Sequence, residues 1–222
     1  MVKKQNSGVS FSEPRWSALI ALLADGIVCL ALPDRLSVGP RWLLLSVVFV
    51  LLFPIVLFHR AGRLDITTIL TLIANGVITV ALVSSLAFLV EGLPKHREGP
   101  TALLRSACAL WIANVIVFAL WYWRLDAGGP HGREQSRGCL KSSFLFPQML
   151  MQDSPDDQIR KRFTAWSPQF MDYLFLAFNT STAFSPTDTA ILSRGAKLGT
   201  MAQSLISLLI IALLAARAVN IF

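Results

Sequence analysis

The sequence predicts an all-α, polytopic membrane protein with five transmembrane helices and one short re-entrant helix. Two observations lead to this fold class. Hydrophobic residues fill 54% of the 222 positions and charged residues only 15%, a composition that is too apolar for a soluble domain. The chain also contains five apolar runs of about 17 to 25 residues, bounded by charged residues or by Pro and Gly, and a membrane-spanning helix needs this length.

These five runs predict the spanning helices and their division into two regions. Residues 1–102 form an N-terminal three-helix membrane region, and residues 103–222 form a second unit. We expect a multi-pass protein of the cell membrane, specifically a bacterial inner membrane, in contact with the lipid bilayer. The predicted spans are Trp16–Pro33, Trp42–Phe58, Ile66–Val90, Leu103–Trp123 and Leu198–Phe222.

One connection, residues 124–167, is much longer than the others. It opens with the turn-rich stretch "RLDAGGPHGREQSRG" and shows no periodicity there. A loop of this length in a compact protein is usually functional or disordered. Its later stretch "SFLFPQMLM" is apolar enough to enter an interface or to pack against a neighbouring element, so we do not expect the whole loop to be disordered.

A short helix is predicted after this loop. Ser167 followed by Pro168 is a favourable pair for the N-cap and the first helical position, and apolar residues follow at helical spacing from Phe170. The helix is about 13 to 15 residues long, which is too short to span a bilayer. The pattern therefore predicts a buried, re-entrant or interfacial segment.

The polar segment "FNTSTAFSPTDT", residues 178–189, joins this short helix to the last apolar run. Non-helical backbone at membrane depth is tolerated only inside protein or beside water. Hydroxyl side chains can bond the unpaired backbone groups of such a segment, or they can contact a permeating solute. The candidate site residues are Thr180, Ser181, Thr182, Ala183, Phe184, Ser185, Pro186, Thr187 and Asp188.

The stretch "DYLFLAFNTSTAFSPTD" resembles the pore helix, Thr-rich turn and acidic filter end of tetrameric pore-loop cation channels of the potassium-channel type. The preceding apolar run and the last one take the places of the outer and inner helices, so the resemblance covers less than half of the chain. The C-terminal half is also similar to uncharacterised bacterial membrane proteins that carry a TAFSPTD-type segment, and these imply no activity.

The resemblance implies an ion-channel-like protein that self-associates, as a homotetramer in that family, and that passes ions or small polar solutes. The family's TVGYGD signature is replaced by "TAFSPTD", which lacks the glycines of a carbonyl-lined filter, so strong potassium selectivity is not expected. By the resemblance, the hydroxyl residues of the segment offer oxygens to an ion or to water. Phe184 forms a constriction, and Asp188 is a charge at the mouth.

Two other interpretations stay open. In the first, the segment is a structural turn that caps the last helix, and the protein is a non-conducting structural or partner-binding subunit. In the second, the protein is a proton-coupled carrier that uses Asp25, an acid near the middle of a predicted span. Asn75 and Asn114 are predicted to form hydrogen bonds between helices rather than to bind ligands.

Catalytic and cofactor motifs are missing from the sequence. It contains no GxSxG, HExxH or phosphate-binding glycine loop, and its histidines show no metal-site spacing, so we expect neither an enzyme nor a metal or cofactor site. The formal charge of +7 is spread over loops and helix ends. This distribution is typical of headgroup anchoring and argues against nucleic acid as a partner.

Overall fold

The computed structural model is almost wholly helical, about 80% of the chain, which confirms the predicted all-α class. Four helices occupy the N-terminal half of the chain, and the fourth leads into the long connection. They are α1 Trp16–Leu30, α2 Arg41–Arg60, α3 Leu64–Gly92 and α4 Pro100–Leu125. The structure describes residues 16–37, 39–92, 100–129, 132–133, 142–164, 166–186 and 188–219.

The rest of the described chain contains shorter elements and one further long helix. A single 3₁₀ turn, Asp126–Gly128, follows α4. The remaining elements in chain order are strand β1 Phe144–Leu145, helices α5 Pro147–Met151, α6 Asp157–Phe163 and α7 Phe170–Thr182, strand β2 Ala190–Ile191 and helix α8 Arg194–Val219.

Three segments are helical, apolar and long enough to cross a membrane: Ile66–Gly92 in α3, Thr101–Gly128 at α4 and Arg194–Ala216 in α8. Two shorter apolar helical segments, Ala18–Leu30 and Trp42–Phe58, match the first two predicted spans in position. Each predicted apolar run therefore contains a helix, and three of these helices reach spanning length on their own. The first helix ends at Leu30 rather than at Pro33, and residues 220–222 of the last predicted run lie outside the described residues.

Helix α4 lies at the centre of the packing. It contacts α1, α3, α7 and α8, and 67% of its most apolar stretch is buried, against 22% for α8. Small residues such as Ala107, Ala113 and Ala119 are buried along it, and small side chains let helices approach closely. Helix α8, by contrast, leaves most of its apolar stretch uncovered by the other residues that the structure describes.

The last helix begins earlier than the sequence predicts. Its first residue is Arg194 rather than Leu198, because Ser193 caps it: the Ser193 side-chain oxygen accepts a hydrogen bond of 3.2 Å from the Ala196 N–H. The first turn of α8 is polar, so hydropathy alone does not show that these residues belong to the helix.

The described part of the long connection is folded against the helices. Phe144 and Phe146 are buried, which confirms that the "SFLFPQMLM" stretch packs against a neighbouring element. Strand β1 pairs antiparallel with β2, with Phe144 opposite Ile191 and Leu145 opposite Ala190. This pairing holds the connection against the segment that leads from α7 into α8.

Candidate functional site: a short helix that ends between two long ones

Helix α7 starts two residues later than predicted. Its N-cap is Gln169, so the predicted cap at Ser167 and Pro168 is wrong. The Asp172 carboxylate accepts a 2.7 Å hydrogen bond from the Gln169 N–H, and the Asp172 N–H donates to the Gln169 carbonyl at 2.9 Å. A side chain of the first turn therefore pairs the backbone donor of the N-cap residue. Burial raises the pKa of the Asp172 carboxyl, and hydrogen bonds from the backbone partly offset this rise.

Aromatic side chains fix the first turns of α7. Tyr173 is fully buried, and its ring contacts those of Phe144 and Phe146 at centroid distances of 6.2 and 5.4 Å. The Phe170 ring contacts Trp123 on α4 at 6.1 Å. These edge-to-face contacts join the beginning of α7 to the end of α4 and to β1.

A buried carboxylate, Asp126, links the same three elements. It accepts hydrogen bonds from the Tyr173 hydroxyl at 2.6 Å, from the Ser142 hydroxyl at 2.9 Å and from the Ser143 N–H. Arg133 donates to the Trp123 and Asp126 carbonyls at 2.7 and 3.1 Å, beside the carboxylate. The carboxylate is thus fully hydrogen-bonded, as a buried charge must be.

A second polar network surrounds the other end of α7. Gln203 on α8 donates to the Ala177 carbonyl at 2.8 Å and to the Ser181 hydroxyl at 2.9 Å, and it accepts from the Tyr122 hydroxyl at 2.6 Å. Ser207 donates to the Ser181 carbonyl at 2.6 Å. The Ser181 carbonyl is one of the last four of α7, which have no partner within the helix, so Ser207 supplies a partner that α7 lacks.

The network places the end of α7 beside the middle of its neighbours. Asn114, near the centre of α4, donates to the Ser181 hydroxyl at 3.4 Å. Gln203 and Ser207 lie roughly 14 and 20 Å along α8 from its first residue, at a rise of 1.5 Å per residue. Helix α7 therefore ends about halfway along two long apolar helices, and the chain then returns to the start of α8.

The predicted site segment divides into a buried part and an exposed part. Thr180 and Ser181 are fully buried within the subunit, and Thr180 donates to the Leu176 carbonyl at 2.8 Å. Pro186 is partly buried, and Thr187 lies outside the described residues. The exposed residues are Thr182, Ala183, Phe184, Ser185 and Asp188. Thr180, Ser181 and Thr182 thus form the end of α7, the described residues after them are non-helical, and only part of the segment is exposed.

Phe184 adopts a left-handed backbone conformation, with φ of 54°. Such a φ is uncommon for a bulky residue and costs of order 1 kcal/mol. Glycine takes this conformation freely. Phe184 therefore occupies a backbone conformation that suits glycine better than phenylalanine.

This strain predicts an unusual response to substitution. Phe184→Gly should be at least as stable as the wild type, and Phe184→Val should be less stable by about 1 kcal/mol, since a β-branched residue tolerates positive φ poorly. Phe175 is exposed in the interior of α7, so Phe175→Gly should lose about 1 kcal/mol and serves as the control. Thermal unfolding in detergent measures all three, and an equal loss for both glycine variants would contradict the idea of strain.

Of the other predicted residues, Asn114 belongs to this site, whereas Asn75 and Asp25 do not. Asn114 forms the predicted interhelical hydrogen bonds, but the prediction for Asn75 is wrong, because its amide has no hydrogen-bond partner among the described residues. Asp25 is fully buried in α1, and neither of its carboxylate oxygens has a partner in the described part of the chain. Within the same residues, no three His, Cys, Asp or Glu side chains gather as a metal site would require.

Several residues of the site were missed by the sequence reasoning. Gln203 and Ser207 are four residues apart in an apolar helix, a spacing that puts both on one face, and this was the available signal. Tyr122 and Asp126 carried no such signal, since their partners are distant in sequence.

No protein-family model, curated protein or solved structure matches the chain.

Proposed function

We propose that this chain is an ion-channel-like integral membrane protein that passes ions or small polar solutes without strong potassium selectivity. In this proposal α1, α2, α3, α4 and α8 span the membrane, and α7 is re-entrant. The observation that carries the proposal is the position of Ser181, which ends α7 beside Asn114 and Gln203 in the middle of two long apolar helices.

The physical argument rests on the backbone that follows α7. Residues 183–186 are non-helical and leave exposed groups at the depth of these two helices. Lipid offers no hydrogen bonds to such backbone, so it must face protein or water. The carbonyls of Ala177 and Ser181 are already satisfied by α8. The exposed turn therefore needs a water-filled path or a neighbouring subunit beside it.

Self-association would give the exposed turn both a neighbouring subunit and a water-filled path. Helix α8 has 22% of its apolar stretch buried, so a large apolar surface is left for lipid or for a second copy of the chain. A turn shared between copies around an axis would face water on one side and protein on the other. A homotetramer is the arrangement that the resemblance to pore-loop channels implies.

The site residues then take different roles. Thr180 and Ser181 hold the end of α7 from inside the subunit, whereas Thr182 and Ser185 offer oxygens to the permeating species. Phe184 narrows the path, and Asp188 places a negative charge at its mouth. A stack of carbonyls as in a potassium filter is not part of this proposal, since Pro186 fixes its own φ near −65°.

Reconstitution tests the proposal. Purified protein in liposomes should pass K⁺ and Na⁺ at similar rates, Phe184→Ala should raise both rates several-fold, and Asp188→Asn should lower both. Phe175→Ala, an exposed aromatic on the outer face of α7, is the matched control and should leave the rates unchanged. Monomeric protein without flux would contradict the proposal.

A non-conducting structural subunit is the second candidate. The complete bonding of Thr180 and Ser181 inside one subunit favours it, because a purely structural turn needs nothing more. Under this reading the Phe184 and Asp188 variants change stability but not flux. A proton-coupled carrier instead predicts that Asp25→Asn abolishes uptake, since Asp25 is a buried acid without a partner among the described residues.

A further inference from the structure

The N-terminal helices enclose a cavity that is separate from the candidate pore. Its volume is about 140 Å³, and α1, α2, α3 and α4 all contribute to its walls. Most of the lining is apolar, for example Leu22, Val56 and Leu120. An apolar space of this size accepts a benzene-sized group, so it can hold the upper part of one acyl chain but not a whole lipid.

Polar groups are placed at both ends of this cavity. Arg60 is the last residue of α2 and Arg124 lies in the last turn of α4, and both residues line the cavity at the end nearest the helix termini. Thr67 and Thr68 from the first turns of α3 line the same end. In a bilayer, cationic side chains at the ends of spanning helices lie at the depth of the lipid phosphate groups.

Asn75 lies at the deep end. It is eight residues after Thr67 on α3, which is about 12 Å along a helix axis. It lines the cavity, is almost fully buried, and neither its side-chain nitrogen nor its side-chain oxygen has a hydrogen-bond partner in the described residues. An unsatisfied buried amide is costly, so a ligand that bonds it gains affinity.

We propose that this cavity binds an anionic phospholipid. The phosphate lies against Arg60 and Arg124, the glycerol backbone enters the cavity, and one ester carbonyl accepts a hydrogen bond from the Asn75 amide, with the first methylenes of that acyl chain against the apolar walls. A free phosphate shares the headgroup chemistry, but it leaves both the apolar walls and Asn75 unused. The proposal is independent of the pore, since none of these residues belongs to α7 or α8.

The test measures the melting temperature of the purified chain in neutral detergent and counts bound lipid by native mass spectrometry. Phosphatidylglycerol should raise the melting temperature and bind once per subunit. Phosphatidylcholine of the same chain length and glycerol 3-phosphate should do neither. If phosphatidylcholine has the same effect as phosphatidylglycerol, the role of charge is overturned. If glycerol 3-phosphate has the same effect, the lipid assignment is overturned. If none of the three raises the melting temperature or binds, the site itself is overturned.

Matched variants locate the binding. Arg60→Gln should weaken phosphatidylglycerol binding by roughly tenfold, the loss expected for a hydrogen bond to a charged group. Asn75→Leu should retain the fold, because leucine has a similar size and removes an unsatisfied amide, yet it should reduce the lipid response. Arg105→Gln is the control, since Arg105 is exposed near the opposite end of α4. Unchanged binding in both test variants, or an equal loss in the control, would overturn the assignment.

Discussion

Replacing Asp126 with alanine is expected to lower the free energy of unfolding by about 3 kcal/mol or more. The carboxylate accepts hydrogen bonds from the Tyr173 and Ser142 hydroxyls and from the Ser143 N–H, and it is fully buried. Its removal leaves these donors without their acceptor in a closed site, and each unsatisfied group costs about 1 to 3 kcal/mol. The loss would also weaken the connection between β1 and α7, which would then rest on the ring contacts of Tyr173 with Phe144 and Phe146.

Chemical or thermal unfolding in detergent measures the effect. Asp157→Ala is the control: its carboxylate forms an exposed ion pair with Arg160 on α6, and such pairs contribute less than about 1 kcal/mol. Asp126→Asn should fall between the two, because the amide keeps one acceptor oxygen but turns an NH₂ group toward donors. If Asp126→Ala costs no more than Asp157→Ala, the carboxylate does not hold these elements together.

The positions of the long helices were predictable because burial in lipid or in a helical core demands long apolar runs. The three longest helices of spanning character and the two shorter ones all coincide with such runs. Their ends were less predictable. Ser193 and Gln169 start helices through single side-chain hydrogen bonds, and competition between neighbouring caps cannot be decided by hydropathy.

The site was predictable as a segment but not as a set of contacts. A short helix followed by a polar turn is visible in the sequence, whereas the bond between Tyr173 and Asp126 joins residues 47 positions apart. The pairing of β1 with β2 involves two residues on each strand, too few for any periodicity. The left-handed φ of Phe184 runs against the preference of its own side chain, so tertiary contacts must impose it.

Replacing Gln203 with leucine is expected to lower the free energy of unfolding by about 2 kcal/mol. Three side-chain hydrogen bonds are lost, to Ala177, Ser181 and Tyr122. Hydrogen bonds between helices in membranes contribute about 0.6 kcal/mol on average and up to about 1.7 kcal/mol. Leucine restores apolar packing but offers the buried Tyr122 hydroxyl no partner. The decrease in the free energy of unfolding should therefore exceed the contribution of a single average hydrogen bond.

A double-mutant cycle with Tyr122→Phe separates the network from simple packing. If the 2.6 Å bond contributes, the two substitutions together should cost less than the sum of the single ones, since each alone leaves a polar group unsatisfied. Ser204→Ala is the control, because its hydroxyl makes a longer contact of 3.4 Å to the Thr180 carbonyl. Strict additivity would mean that Gln203 and Tyr122 do not act together. The end of α7 would then be held by the bonds of Gln203 and Ser207 to Ala177 and Ser181 without a contribution from Tyr122. Coupling would instead mean that Tyr122 on α4 and Gln203 on α8 act as one unit in holding the end of α7 between these two helices.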